Sequence, residues 1–212
     1  ALLHIALGRH AESRRWLEER HPARGQHGFL LPDIAWALTR VKLAVRSGED
    51  PLPWLDQVPA LDPLPPALQL QCTVALATLR PGVPLAELQA LAARLQALGL
   101  AGMRRVVLVA AVHAAQLEGQ LDEACRLAAE ALALTHAVDG WLDEPASVWA
   151  AAAQAFAAAG RHAQAREVAA TGAAWVLERA DAWARPEDRD AWCHGNPLHR
   201  GLLARAASPS GR

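Results

Sequence analysis

Residues 116–132 read QLEGQLDEACRLAAEAL. The run consists of strong helix formers broken once, at Gly119, where a glycine inside a helix would cost about 1 kcal/mol relative to alanine. Two further stretches have the same build: IALGRHAESRRWLEE at 5–19 and FAAAGRHAQAREVAATG at 156–172. Aligned on Gly8, Gly119 and Gly160, each glycine follows an amphipathic helical segment. Four or five residues later comes a small residue or its neighbour (Glu12-Ser13, Glu123-Ala124, Gln164-Ala165), and a second helical segment runs on, as from Leu121 to Leu134. The glycine therefore belongs at the C-terminal end of one helix, where a left-handed residue without a Cβ closes the turn cheaply. Asp122 and Glu123 then fall in the first turn of the next helix, where its dipole favours acidic groups. The unit is a pair of antiparallel helices.

The pattern extends in both directions. DIAWALTRVKLAVRSGED (33–50) is a helix ending at Gly48, followed by a proline-containing short helix around PLPWLDQV (51–58). PPALQLQCTVALATLR and VPLAELQALAARLQAL are two helices joined by a Pro-Gly turn at Gly82. Gly8, Gly48, Gly82, Gly119 and Gly160 thus recur every 34 to 41 residues. One helical hairpin per period of this length is the mark of an α-solenoid. The expectation is one all-α repeat domain of four to five hairpins over 1–207, with a C-terminal cap at 187–207 and a disordered tail at 208–212.

Composition agrees with helix and narrows function. Alanine and leucine dominate an apolar content of 52%, aromatics are 5% and tyrosine is absent, which depletes the residues that suit pleated sheets. The 20 arginines are interleaved with acids for a net charge of −1, so there is no basic stripe for a nucleic-acid backbone. Cys72, Cys125 and Cys193 are far apart and form no CxxC pair; buried free thiols in a reducing cytoplasm are expected. No apolar run reaches the roughly 18 residues of a membrane-spanning helix. The start lacks both a signal-peptide pattern and a methionine, and reads as an internal piece of a longer protein.

QLEGQLDEACRLAAEAL resembles a tetratricopeptide repeat. Gly119, Asp122, Glu123, Ala124 and Ala131 match that family's pattern, as do Gly160, Ala165 and Gly172 in the next unit, with Trp149 where a large first-helix residue is common. The likeness covers 103–178 well and the rest by rhythm alone. The tail, with Arg189, Asn196, Pro197, Arg200, Leu202 and Leu203, is similar to the C-terminal ends of large bacterial ATP-binding signalling regulators, although Trp192-Cys193 replaces their usual aromatic-leucine pair. There Asn196 should cap a final helix with Pro197 at its first position. These resemblances imply a right-handed superhelix serving as a cytoplasmic sensor or docking region, with the output module outside this chain.

Catalytic signatures are missing. The chain has no GxxxxGK[ST], GxGxxG, HExxH or GxSxG, and it is read as a non-enzyme without cofactor or metal. Cys193, His194 and His199 are the densest ligand-type group, but Gly-Asn-Pro between them breaks any common helical face. His10 and His162, each in a GRH turn, suit polar hairpin ends. The eight tryptophans are spread over every unit and should mostly pack; Trp141, in the VDGWLDEP connection, is the exception best placed for a ligand.

In tetratricopeptide-like solenoids the first helix of each hairpin lines the concave groove. Counting back from the turn glycines puts Lys42, Arg46, Gln69, His113, Gln116 and Gln154 there, to orient a protein segment, a peptide or a small effector. The alternative reading is a metabolite receptor in which His113, Gln116 and neighbouring tryptophans hold the ligand. Neither nucleic acid nor membrane is an expected partner of this chain. A second copy could stack on a terminal repeat face, with Trp16 and Leu17 near the start supplying apolar surface.

Overall fold

The computed structural model describes residues 1–19, 30–136 and 144–207. Every regular element among them is a helix. The helices are α1 (Leu2–Ala6), α2 (His10–Glu19), α3 (Leu30–Ser47), α4 (Leu52–Leu55), α5 (Pro66–Leu79), α6 (Leu85–Ala97), α7 (Ala101–Leu117), α8 (Leu121–Ala133), α9 (Ala146–Ala158), α10 (His162–Ala180), α11 (Pro186–Asp190) and α12 (Pro197–Ala207). A single π-helical turn, Ala191–Gly195, follows α11 directly. The chain groups into two compact units, Ala1–Pro81 and Gly82–Arg212. The division falls at the Pro-Gly turn that the rhythm of the sequence places inside one repeat. No described helix is long and apolar enough to cross a membrane.

The turn glycines take the conformation expected of them. Gly119 has φ +74°. Its N–H donates to the Gln116 carbonyl at 3.1 Å, and the Gln120 N–H donates to the Ala115 carbonyl at 2.8 Å. This pair of bonds is the Schellman closure, which satisfies carbonyls that a helix end otherwise leaves open. Gly160 repeats it, through Ala157 and Phe156. Gly99 (φ +69°) does the same between α6 and α7, a turn that the one-glycine-per-period reading passes over. Gly82 differs: α5 ends at Leu79, Arg80 is extended, and Gly82 closes a Pro-Gly turn with positive φ.

In the C-terminal unit α7 packs on α6, α8 and α9, α9 packs on α8 and α10, and α12 packs on α9 and α10. The core is built from small residues. Ala111, Ala115, Ala124, Ala128, Ala152, Ala153 and Ala155 are all at most 1% exposed, with Leu95, Leu108, Leu127 and Phe156 between them. The closest approach is at Gly172 of α10, where an added Cβ would stand 2.7 Å from the Trp149 Cβ and 3.1 Å from both Leu202 methyls. Gly172 is therefore required by packing, whereas Gly119 and Gly160, with open space around them, are required by backbone conformation.

In the N-terminal unit α1 and α2 pack on α3, as do α4 and α5. Ile5, Leu17 and Leu43 form a small core cluster there. Leu17 is 2% exposed and Trp16 41%. This corrects the expectation that both supply apolar surface: neighbours on a helix lie about 100° apart, so one of the pair turns inward when the other faces out.

Gly172→Ala should lower stability by about 1–3 kcal/mol through overpacking. Gly160→Ala should lower it by about 1–2 kcal/mol through backbone strain alone. Urea titrations followed by helical circular dichroism measure both. A double substitution of Gly172→Ala with Leu202→Ala should relieve only the contacts at the Leu202 methyls, because the Trp149 Cβ stays in place, and it should leave the Gly160 term unchanged.

Candidate functional site

The residues singled out in the sequence divide between the two units. Lys42 and Arg46 lie on α3, one turn apart on one face, both half-buried and both engaged with neighbours. Gln69 lies on α5 and is also half-buried. Its amide donates to the Asp62 carbonyl at 3.0 Å and the Leu64 carbonyl at 2.9 Å, bracing the segment that leads into α5. Its amide hydrogens are thus directed at its own main chain.

His113 and Gln116 lie on α7 and Gln154 on α9, two helices packed on each other. Each of these helices is closely covered except along one strip. On α7 the strip runs through Val106, Val109, Ala110 and His113, with Gln116 at its edge; on α9 it runs through Ser147, Ala150, Gln154 and Ala157. His113 and Gln154 are the exposed polar tips of otherwise small, apolar strips. Trp141 lies outside the described residues.

A charged lattice links α6, α7 and α8. Arg126 forks onto Glu123 through Nε and Nη2, both at 2.7 Å, and reaches Glu130 at 3.0 Å. Glu130 also accepts from Arg104, and Glu123 from Gln89 at 2.7 Å. The Arg126 hydrogen bonds, against a smaller opposing effect of burial, hold the Glu123 carboxyl below the usual glutamate range. Arg105, 1% exposed, donates to the Leu134 and Thr135 carbonyls at 3.1 and 2.8 Å and so satisfies the C-terminal end of α8. Sequence reasoning missed it. The available signal was its place three and seven residues before Leu108 and Val112, in the apolar stripe of α7.

Four tryptophans gather at the end of the chain. Ring centroids run Trp149–Trp175 5.5 Å, Trp175–Trp192 6.0 Å and Trp192–Trp183 5.9 Å, with the His199 ring 4.2 Å from Trp192. The Trp192 indole donates to the Val176 carbonyl at 3.0 Å, and His199 Nδ1 donates to the Trp192 carbonyl at 2.7 Å. Asn196 caps α12 as its position implied: Oδ1 accepts the Leu198 N–H at 3.0 Å while Nδ2 donates to Glu144 at 3.0 Å. Cys193 and His199 are buried and His194 is exposed. All three cysteines are free and buried, and burial raises each thiol pKa, which suppresses thiolate chemistry at neutral pH.

No protein-family model, curated protein or solved structure matches this chain.

Because the folded-state pKa of Glu123 is depressed, its contribution to stability is complete above the ordinary glutamate value and is lost as pH falls through the lowered one. Glu123→Gln should cost under about 1 kcal/mol at neutral pH, since the pair is partly exposed. It should also flatten the acid limb of stability against pH. Denaturation midpoints collected from neutral to strongly acidic pH, wild type against variant, check both.

Proposed function

We propose that this chain is a non-catalytic interaction or sensor module, a tetratricopeptide-like right-handed solenoid of four to five hairpins. In this reading it acts within a cytoplasmic bacterial regulator of signalling or transcription. The observation that carries the reading is the arrangement in the C-terminal unit. The hairpins α7–α8 and α9–α10 each close on a left-handed glycine, α9 packs on both helices before it, and each first helix leaves a largely apolar strip, with His113 exposed on one and Gln154 on the other. Such a surface suits an extended or helical protein segment, with the imidazole and amides fixing its orientation. Output follows by population shift: a ligand whose contacts differ between relaxed and tightened helix packing biases whatever the module is attached to.

A metabolite receptor draws support from the N-terminal unit, at a place other than the His113 and Gln116 that the sequence reading chose. A cavity of about 590 Å³ there is lined by Leu2, Leu3, Trp16, Leu17, Pro32 and Trp36 among others, a volume in the range of small-ligand pockets.

Native mass spectrometry of the chain recovered gently from source-cell lysate distinguishes the two readings, since a retained peptide or protein favours docking and a retained small mass favours the receptor. If docking holds, His113→Ala with Gln116→Ala and Gln154→Ala should weaken the retained complex at least about tenfold, the equivalent of about 1.4 kcal/mol, with helical circular dichroism unchanged. Undiminished binding in that variant removes the groove assignment.

A further inference from the structure

Arg40, on α3, was not among the residues the sequence singled out. Its guanidinium is held between two tryptophans, with its carbon 5.1 Å from the Trp36 ring centroid and 4.5 Å from that of Trp54. Two aromatic faces immobilise the fork and replace part of its hydration. The side chain is only 11% exposed. Its nearest carboxylate, Glu18 on α2, stands at 3.9 Å from Nη1, beyond hydrogen-bonding reach. Nε is sealed from solvent and has no acceptor. The other arginine nearby, Arg14, is already bonded to Glu49.

A guanidinium carries five N–H donors in a rigid fork, and nearly all buried polar groups in folded proteins are hydrogen-bonded. Arg104 and Arg105 also leave Nε without an acceptor, but their terminal nitrogens bond Glu130 and two carbonyls respectively, whereas the Arg40 fork has no close acceptor among the described residues. Arg40 is oriented by two indoles, largely buried and charged, and its ion pair with Glu18 is a long one. Desolvation lowers its pKa from the usual arginine value, with Glu18 opposing, yet arginine stays protonated in proteins. The surrounding charges lean positive. Arg14, Arg40 and Arg46 stand against Glu18 and Glu49 around His10 and Arg40, and burial together with Arg14 and Arg46 disfavours protonation of His10.

We propose that Arg40, clamped by Trp36 and Trp54, is the anchor of an oxyanion-binding site in the N-terminal unit, taking the carboxylate or phosphate group of a small ligand. Planar or tetrahedral oxyanions match the fork bidentately, and the tryptophan faces leave it no conformational freedom to lose on binding. Glu18, 56% exposed on its side chain, occupies the approach as a weak competitor that an incoming anion displaces. The site is independent of the strips on α7 and α9 and of the solenoid reading.

The test is a titration of the full 15N-labelled chain with inorganic phosphate and, separately, with acetate, at constant ionic strength in chloride. The readout is the set of arginine Nε–H resonances. Arg40→Lys, checked for fold by circular dichroism, identifies the Arg40 resonance by its disappearance. One or both anions should shift that resonance saturably, and the anion giving the tighter constant separates a phosphate from a carboxylate site. Arg40→Lys should weaken binding at least about tenfold. Glu18→Gln should tighten it roughly fivefold, because the anion no longer has to displace an ion pair about 4 Å long in water. An Arg40 resonance unmoved by either anion at tens of millimolar would overturn the proposal. So would a Glu18→Gln variant that loses stability without gaining affinity, because Glu18 would then be the resident partner of Arg40.

Discussion

The tight hairpins of this protein depend on one backbone constraint: a residue with positive φ must stand at the turn for the chain to reverse within a few residues. At Gly119 and Gly160 the left-handed conformation brings two N–H groups back onto the last turn, so the reversal leaves fewer carbonyls unsatisfied. A residue with a Cβ would pay about 1–2 kcal/mol for the same geometry. Once the reversal is made, the second helix falls against the first. The alanine faces of α7 to α10 then determine how near they come, because small side chains allow axes to approach and leave few voids to fill.

Close packing of small residues buries little area per contact, and other interactions supplement it. None of the helices α6 to α10 has a side-chain N-cap. Their ends are stabilised from outside. The Leu85 N–H at the start of α6 donates to the Glu118 carboxylate beside the Gly119 turn at 3.1 Å. Asp122 and Glu123 complement the dipole of α8 at its start, and Arg105 reaches across from α7 to the carbonyls at its end. The Arg104–Glu130–Arg126–Glu123–Gln89 lattice ties α6, α7 and α8 along one face. Neighbouring hairpins are thus joined by polar contacts as well as by apolar burial. Near the end of the chain, the His199 ring of α12 lies against Trp175 of α10 and Trp192, and Asn196 reaches Glu144 just ahead of α9.

Much of this was legible locally. Gly8, Gly48, Gly119 and Gly160 announced their helix ends because the reason for glycine there lies within six residues of backbone. Asn196 and Pro197 announced α12 for the same reason. Gly172 was legible as part of a resemblance but not as a contact, since its meaning depends on Trp149 and Leu202, 23 and 30 residues away. Gln69 fitted a groove by counting along a helix, yet its amide turns to Asp62 and Leu64, and counting does not foresee where a preceding loop folds back. Trp16 and Leu17 were indistinguishable by type and were separated only by which side of α2 meets α3.

By itself the sequence determined the all-helical class, the places where helices stop and the chemistry of the turns, because propensity, capping and left-handed glycine act over one or two turns of chain. Only the tertiary structure decided which polar groups are left for a ligand. Arg105 and Arg40 are both largely buried arginines on apolar helices. Fold alone supplies one with two carbonyls and leaves the other between two indoles, with a long ion pair to Glu18. Hydrogen bonding and desolvation are set by what stands within about 3 to 4 Å, and those neighbours come from distant parts of the chain.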